Sequence, residues 1–346
     1  MFYNVDFPSG SVTYLFEEVF QSIERFKKER RTVYLTDDVV SGLYPDLFPA
    51  ESTVIVPSGE QHKTMVQVER IITRLQQLNV DRSCLLIAVG GGVITDMAGF
   101  VASIYMRGLP FGFVPSTFLA MVDASIGGKN GVNFGLFKNM IGVIRQPEFI
   151  LFDPLFLKTL SQREWSNGFA EAIKYGCIFD EALFTKLSNH HLSEYHHNLP
   201  LASSIIRSCV DWKNRTVLAD EQERGMRKLL NFGHTAGHAL ESVCLLPHGF
   251  AVSIGMLIAC KISERVTGLS AQVTDRVQQI LVHYQLPIQN DFQVSEVMRV
   301  LMGDKKRTGN HLDFIVLEKL GQGSVVSLDF ELIRQVLIDF KNASHY

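Results

Sequence analysis

From position 32 onward, short apolar runs alternate with segments whose apolar residues recur at helical spacing. The runs at 32–36 (TVYLT), 53–56, 85–89, 111–114 and 149–153 read as buried strands. A helix over 65–78 falls between the second and third runs, and GGGVITDMAGF turns helical directly after the third. Strands and helices in this alternation predict an α/β domain with a parallel sheet, helices on its faces and ligands at the carboxyl ends of its strands. Upstream, 12–30 has helical spacing and ends in the charged run ERFKKERR, which predicts an amphipathic helix with a solvated end. After 153 the pattern becomes mainly helical, over 163–175, 201–218, 251–266 and 272–284, with a β pair near 313–317 and 324–328 and a last helix at 331–341. The expected domains are therefore 1–153 and 154–346.

A chain of 346 residues is long enough for two such domains. Its 46% hydrophobic and 20% charged content is that of a globular protein, and a formal charge of −3 gives no sign of a nucleic-acid partner. The five cysteines form no CxxC pair and sit mostly in apolar runs, as reduced thiols do. The first residues lack a basic-then-apolar signal, and no apolar run is long enough to cross a membrane, so the expected location is the cytoplasm.

Three stretches carry candidate chemistry. In RKLLNFGHTAGHALESVCLLPHG, over 227–249, His234 and His238 lie four residues apart in a helical pattern and should share a face. Such a pair can clasp a divalent metal, and His248 can supply a further nitrogen, with an acid from elsewhere completing the ligands. The three glycines of GGGVITD stand between a strand and a helix, where a backbone can approach a pyrophosphate and present free helix amides to it. Asp37 and Asp38 follow a strand, where an acid can accept from ribose hydroxyls, and the loop PSGEQHK carries Glu60 and Lys63. The third stretch, PSTFLAMVDASIGGKNGVNFGLFKNMIG, shows no regular period but combines Asp123, Lys129 and Lys138 with many apolar residues, as a packed functional segment does. The histidines at 190, 191, 196 and 197 lie in the polar stretch NHHLSEYHHN and read as a solvated connection rather than a metal site.

The distributed motifs TDD, PSGEQHK, GGGVITD, YMRG, VDASIGGK, KNMIG, FAEAIKYG, DEQERGMRKLLNFGHTAGHALE, PHGFAV and MGDKKRTG cover roughly 36–320. With them the chain resembles the 3-dehydroquinate synthase family of sugar-phosphate cyclases. The resemblance implies a Rossmann-like nucleotide-binding N-terminal domain and a mainly α-helical metal- and substrate-binding C-terminal domain, with the active site in the cleft between them. It implies a metal held by Glu171, His234 and His248, with His238 a nearby residue facing substrate. Zinc and cobalt both suit two nitrogens and one carboxylate.

By the same resemblance NAD is lined by Asp37, by Ser58, Gly59, Glu60, Gln61, His62 and Lys63, and by Gly92, Val93, Ile94, Thr95 and Asp96. Ser116, Thr117, Lys129, Lys138, Phe156, Leu157, Lys158 and Thr159 complete that lining. Lys129, Asp123, His238, Lys174, Arg227 and Asn231 correspond to catalytic positions, the last two one and two turns before the histidines on the same face. Arg107, Lys138, Asn139, Lys213, Lys305 and Lys306 correspond to substrate contacts. A substrate bearing carboxylate and phosphate needs such a set of cations.

The implied activity is a phosphate-eliminating lyase of the shikimate pathway. It converts 3-deoxy-D-arabino-heptulosonate 7-phosphate to 3-dehydroquinate and phosphate by transient NAD oxidation, elimination, re-reduction and intramolecular aldol closure. The resemblance also implies a homodimer acting on a small phosphorylated sugar acid. Rival readings are an inosose or valiolone synthase, a metal-dependent alcohol dehydrogenase of related fold, and a nucleotide-binding regulator without catalysis. Four positions depart from the family pattern: Thr95 stands for glycine, Ser116 and Asn130 for threonine, and Phe250 for the glutamate after His-Gly.

Overall fold

The computed structural model describes residues 2–135, 137–303, 307–308 and 310–343. The chain forms two compact units, one of Met1–Glu164 with Leu199–Gln222 and the other of Trp165–Asn198 with Glu223–Tyr346.

In the first unit β1 (Phe2–Phe7) and β2 (Gly10–Phe16) form an antiparallel hairpin. The chain continues through β3 (Thr32–Asp37), α1 (Asp38–Leu43), β4 (Thr53–Val56), α2 (Met65–Gln77), β5 (Leu85–Gly90), α3 (Gly92–Ile104) and β6 (Phe111–Pro115). A second hairpin, β7 (Lys129–Phe134) with β8 (Phe137–Ile144), precedes β9 (Phe149–Phe152). The main sheet runs β1-β2-β9-β6-β5-β3-β4, and every neighbouring pair except β1 with β2 is parallel. Its inner strands β5, β6 and β9 are buried at every residue, as strands covered on both faces are. From β3 the order runs outward to β4 on one side and through β5, β6 and β9 on the other. The crevice between the carboxyl ends of β3 and β5 is therefore the switch point, where open α/β sheets bind ligands.

Two local expectations fail here. The segment 12–30 is not a helix: its first residues form β2, and only short helical turns at Val19–Ser22 and Glu24–Lys27 follow. Apolar residues at helical spacing are present, but pairing with β1 and β9 buries Val12, Tyr14 and Leu15 completely, and that burial outweighs local periodicity. The segment expected to be irregular contains the β7/β8 hairpin, with only the π-helical turn Ala120–Ala124 before it.

The chain leaves the first unit inside α4 (Gln162–Ile178), continues through α5 (Glu181–Ser188), and rejoins it with α6 (Leu199–Ala219). This division differs from the expected boundary after Asp153, because α6 is tied into the first unit by long-range polar contacts. Tyr14 donates to Asn214 Oδ1 (2.7 Å), Lys213 Nζ to Asp123 Oδ1 (2.8 Å), and Ser9 and Gln146 both donate to Glu221 Oε1 (2.5 and 2.9 Å). Helical periodicity reports that α6 has a buried face, not what covers it.

The second unit contains α7 (His234–Cys244), α8 (His248–Val266), α9 (Ala271–His283), α10 (Val294–Met302), the antiparallel strands β10 (Arg307–Thr308), β11 (His311–Lys319) and β12 (Gln322–Asp329), and α11 (Phe330–Ala343). The expected late β pair and last helix are both present. The NHHLSEYHHN stretch is a short helix, Leu192–His197, capped by His191 and Glu194, with Leu192 and Tyr195 buried. No metal-holding group of three donors occurs there among the described residues.

Candidate metal centre and cofactor loops

Three helices of the second unit meet through residues that lack side-chain bulk. Gly233 adopts φ 77°, which breaks the chain between the 3-10 turn Met226–Asn231 and α7, so that α7 starts at His234. A Cβ on Gly255 would lie 2.0 Å from the Gly233 carbonyl oxygen, so α8 can pass this close to the start of α7 only with glycine. On the other side, Gly249 N donates to Asn167 Oδ1 (2.6 Å), and a Cβ at Gly249 would fall 2.0 Å from the Asn167 carbonyl oxygen. Glu171 follows Asn167 by four residues on α4 and therefore shares its face. The first residues of α7 and α8 are thus brought against Glu171.

Glu171 Oε1 lies 3.3 Å from both His234 Nε2 and His248 Nε2. Its Oε2 is taken by Lys174, and both partners of that pair are buried. Glu171 is fully buried, yet Oε1 forms no ordinary hydrogen bond among the described residues. The opposite ring nitrogens are tied back: His234 Nδ1 to the Phe232 carbonyl (3.1 Å) and His248 Nδ1 to Glu241 Oε2 (3.3 Å). One donor atom from each of Glu171, His234 and His248 lies within 4.8 Å of the others. A buried carboxylate oxygen without a hydrogen bond, faced by two imidazole nitrogens oriented from behind, is the donor set of a divalent cation.

Electrostatics agree with this arrangement. Burial disfavours the Glu171 carboxylate, but Lys174 and His234 outweigh burial and hold it well below the usual range. Burial lowers His234 despite Glu171, which favours the neutral, ligating ring. At His248 burial acts downward, and the facing carboxylates of Glu171 and Glu241 outweigh it, pushing the ring up to about 10. A cation entering the site must displace that proton.

His238 lies one turn after His234, with ring centroids 5.2 Å apart, and 5.7 Å from the His248 ring. It is not in the Glu171 group, but His238, Glu241 and His248 form a second set of donors within 4.8 Å. Arg227 is almost fully buried, and Asn231 donates to Glu223 Oε1 (2.8 Å) and the Lys228 carbonyl (3.1 Å). These two do not continue the histidine helix as expected. They lie on the preceding 3-10 turn, across the break at Gly233. Lys305 and Lys306 lie outside the described residues.

The nucleotide-type loops belong to the first unit. Gly91 caps α3 without a side-chain hydrogen bond, leaving the helix's first amides for an anion. Cβ atoms on Gly91 and Gly92 would sit 3.1 Å from Thr117 Cγ2 and Ala124 Cβ, so glycine keeps this turn narrow. Gly91, Gly92, Val93 and Asp96 are partly accessible, whereas Ile94 and Thr95 are buried and their amides both donate to the Gly91 carbonyl (3.0 and 3.1 Å). This edge fits a pyrophosphate.

Asp37 ends β3 at the switch point, where its Oδ1 caps α1 by accepting from Val40 N (2.8 Å), and burial raises its pKa. Exposed Asp38 accepts from Ser58 N (3.0 Å), which ties the 58–63 loop to β3. Lys63 Nζ donates to Asp96 and to Asn139 Oδ1, each at 2.5 Å, while Glu60 Oε1 accepts from Asn133 (2.8 Å) and Lys138 (3.0 Å). The β7/β8 hairpin is therefore docked on the 58–63 loop, where Gly59, Gln61 and His62 complete the turn. Asn139 holds φ 49° there. Lys129 at the start of β7 is exposed, and so is Arg107, which adopts φ 66°. Phe156 and Leu157 are buried, whereas Lys158 and Thr159 are exposed, with Thr159 Oγ1 3.0 Å from the Tyr44 hydroxyl.

The structure accommodates the departures locally. Thr95 bonds back to the Gly92 carbonyl (3.1 Å), Ser116 N donates to the Gly90 carbonyl (2.9 Å), and Asn130 donates to the Gly128 (2.7 Å) and Arg145 (2.9 Å) carbonyls. Phe250 places no acid beside His248; Glu241, from α7, is the carboxylate at its Nδ1. Sequence reasoning missed Glu241 and Asn167. Glu241 had a signal, since it follows His234 by seven and His238 by three residues and so lies on their face.

Two family models match in tandem: one described as 3-dehydroquinate synthase N-terminal over 53–167, and one as 3-dehydroquinate synthase C-terminal over 168–307. The 3-dehydroquinate synthase of Dichelobacter nodosus (strain VCS1703A) is 41% identical over 303 residues, covering 84% of this chain and 82% of that protein. The 3-dehydroquinate synthase of Campylobacter concisus (strain 13826) is 37% identical over 334 residues, covering 92% and 94%. Among solved structures, a 2-epi-5-epi-valiolone synthase from Streptomyces hygroscopicus subsp. jinggangensis 5008, with NAD+ and Zn2+ bound, superposes with a TM-score of 0.87 at 25% identity over 96% of this chain and 97% of that one.

Proposed function

The chain belongs to the 3-dehydroquinate synthase family, and we propose that it converts 3-deoxy-D-arabino-heptulosonate 7-phosphate to 3-dehydroquinate and phosphate. The observation that carries this reading is the Glu171, His234 and His248 cluster within a chain whose two halves match the two halves of that family. When bound, a divalent cation at the cluster supplies Lewis acidity toward a substrate hydroxyl, and NAD at the β3/β5 edge supplies a reversible hydride acceptor.

The residues do the rest by holding and orienting. Lys174 occupies Glu171 Oε2 and so leaves Oε1 as the ligating atom. Lys213 and Asp123 fix one another at 2.8 Å, giving the substrate a cation of set position and an acid able to exchange a proton with it. Arg107, Lys129, Lys138 and Asn139 in the first unit, and Arg227 and Asn231 in the second, supply donors for carboxylate and phosphate. His238 stands beside the cluster, outside the ligand set, as a proton-transfer group. Elimination and ring closure need little beyond this, because correct geometry supplies much of the rate.

A second reading is favoured by one observation: the fold likeness to a valiolone synthase extends over nearly the whole chain. Substrate choice separates the two. The test is phosphate release from the heptulosonate phosphate, with and without NAD and a chelator, while absorbance follows NADH. Phosphate release that needs both NAD and metal, without net NADH, is expected. Stoichiometric NADH would point to an alcohol dehydrogenase instead, and turnover only with a sugar phosphate lacking the carboxylate would point to the other cyclases. A homodimer in the cytoplasm completes the proposal.

A further inference from the structure

We propose that Glu241 is a positioning residue for His248, selecting which ring nitrogen faces the cation; this rests on the metal reading of Glu171, His234 and His248. Both imidazoles present Nε2 to the same carboxylate oxygen at 3.3 Å. An imidazole that donates through Nδ1 is left with its lone pair on Nε2, the form a cation requires. The two rings differ in what holds Nδ1. For His234 it is the Phe232 carbonyl, supplied by the backbone break that starts α7. For His248, the first residue of α8 and 29% exposed, it is Glu241.

Position and burial support this role. Glu241 lies on the face of α7 that carries His234 and His238, and it is only 7% exposed, an uncommon state for an acid unless it has a partner. Phe250, two residues beyond His248, offers no alternative acid. The second donor set, His238, Glu241 and His248, raises a different use for the same carboxylate, direct ligation of a second cation. Orientation fits better, because Glu241 Oε2 already engages His248 Nδ1 directly, at 3.3 Å.

The experiment uses the full chain, metal-free, as wild type, Glu241→Gln and Glu241→Ala. Each is titrated with Co2+ against a competing chelator while the visible absorption of bound Co2+ is recorded. The wild type should take up a single Co2+ per chain. Glu241→Ala should bind about 10–100-fold more weakly and with an altered visible spectrum, the range seen when an outer carboxylate is removed. Glu241→Gln, whose amide oxygen still accepts from Nδ1, should recover part of both, a rescue that loss of mere packing would not produce. If Glu241→Ala fails to fold, Glu241→Gln decides, with an affinity between about 2-fold and 10-fold below wild type expected. Unchanged affinity and spectrum in a folded variant overturn the proposal. A second Co2+ in the wild type that disappears with Glu241 also overturns it, since Glu241 would then be a ligand. A wild type that binds no Co2+ fails at the earlier step and removes the metal reading itself.

Discussion

The polar clusters of the two units solve opposite problems. In the first, the charges that face the cofactor loops neutralise one another: Lys63 with Asp96, Lys138 with Glu60, Lys213 with Asp123, and Asp37 with the amide of α1. In the second, Glu171 and Lys174 pair, but two imidazoles still converge on a carboxylate oxygen that has no ordinary hydrogen bond among the described residues. In the first cluster each of these groups already has its partner. The second converges on one buried carboxylate oxygen, a donor set that suits a divalent cation.

The contrast is broken most directly at Glu171. Glu171→Gln should abolish Co2+ uptake and destabilise the metal-free protein by about 3 kcal/mol, because it leaves the Lys174 ammonium buried without its counter-charge. Adding Lys174→Met to that variant should restore most of the loss in urea unfolding. If the single variant is as stable as wild type, the pair is not what holds this site.

Next in size is proton linkage. With His248 pushed up to about 10 in the metal-free site, its proton favours that form fully below the unfolded value of 6.5, and the contribution fades as pH rises through about 10. Metal binding removes the proton, so Co2+ affinity should rise about tenfold per pH unit between neutrality and 10, with about one proton released per cation. Calorimetry in two buffers of different ionisation enthalpy measures that release. An affinity independent of pH would show that His248 is already neutral.

The smallest effect belongs to the first unit. Lys138 and Glu60 are 22% and 40% exposed, so solvent screens their pair. Lys138→Ala should cost less than about 1 kcal/mol in urea unfolding while raising KM for the phosphorylated substrate. A loss as large as that of Glu171→Gln would erase the distinction between the clusters.

Much of this was legible before any coordinates. The strands at 32–36, 53–56, 85–89 and 111–114 were visible because a sheet covered on both faces demands unbroken apolar runs, and α2 and α9 because one face of each is apolar. The segment 12–30 misled because residues at helical spacing can also serve a strand when neighbours are available. At the site, spacing alone left His234, His238 and His248 as alternatives. The family resemblance chose the pair His234 and His248 with Glu171, and the structure brings those three side chains together.

By itself the sequence determined the alternation of strands and helices, the glycine-rich turn after β5 and the presence of imidazoles on one helix face. These follow from local rules of period and backbone freedom, which act over a few residues. Tertiary structure alone decided that α6 belongs with the first unit, that Gly233 separates Arg227 and Asn231 from the histidine helix, and that Glu241 reaches His248 Nδ1. The first rests on side-chain contacts of α6 with distant residues of that unit, and the other two on how closely two backbones approach. That distance is set where Gly249 meets Asn167 and Gly255 meets Gly233, residues far apart in the chain.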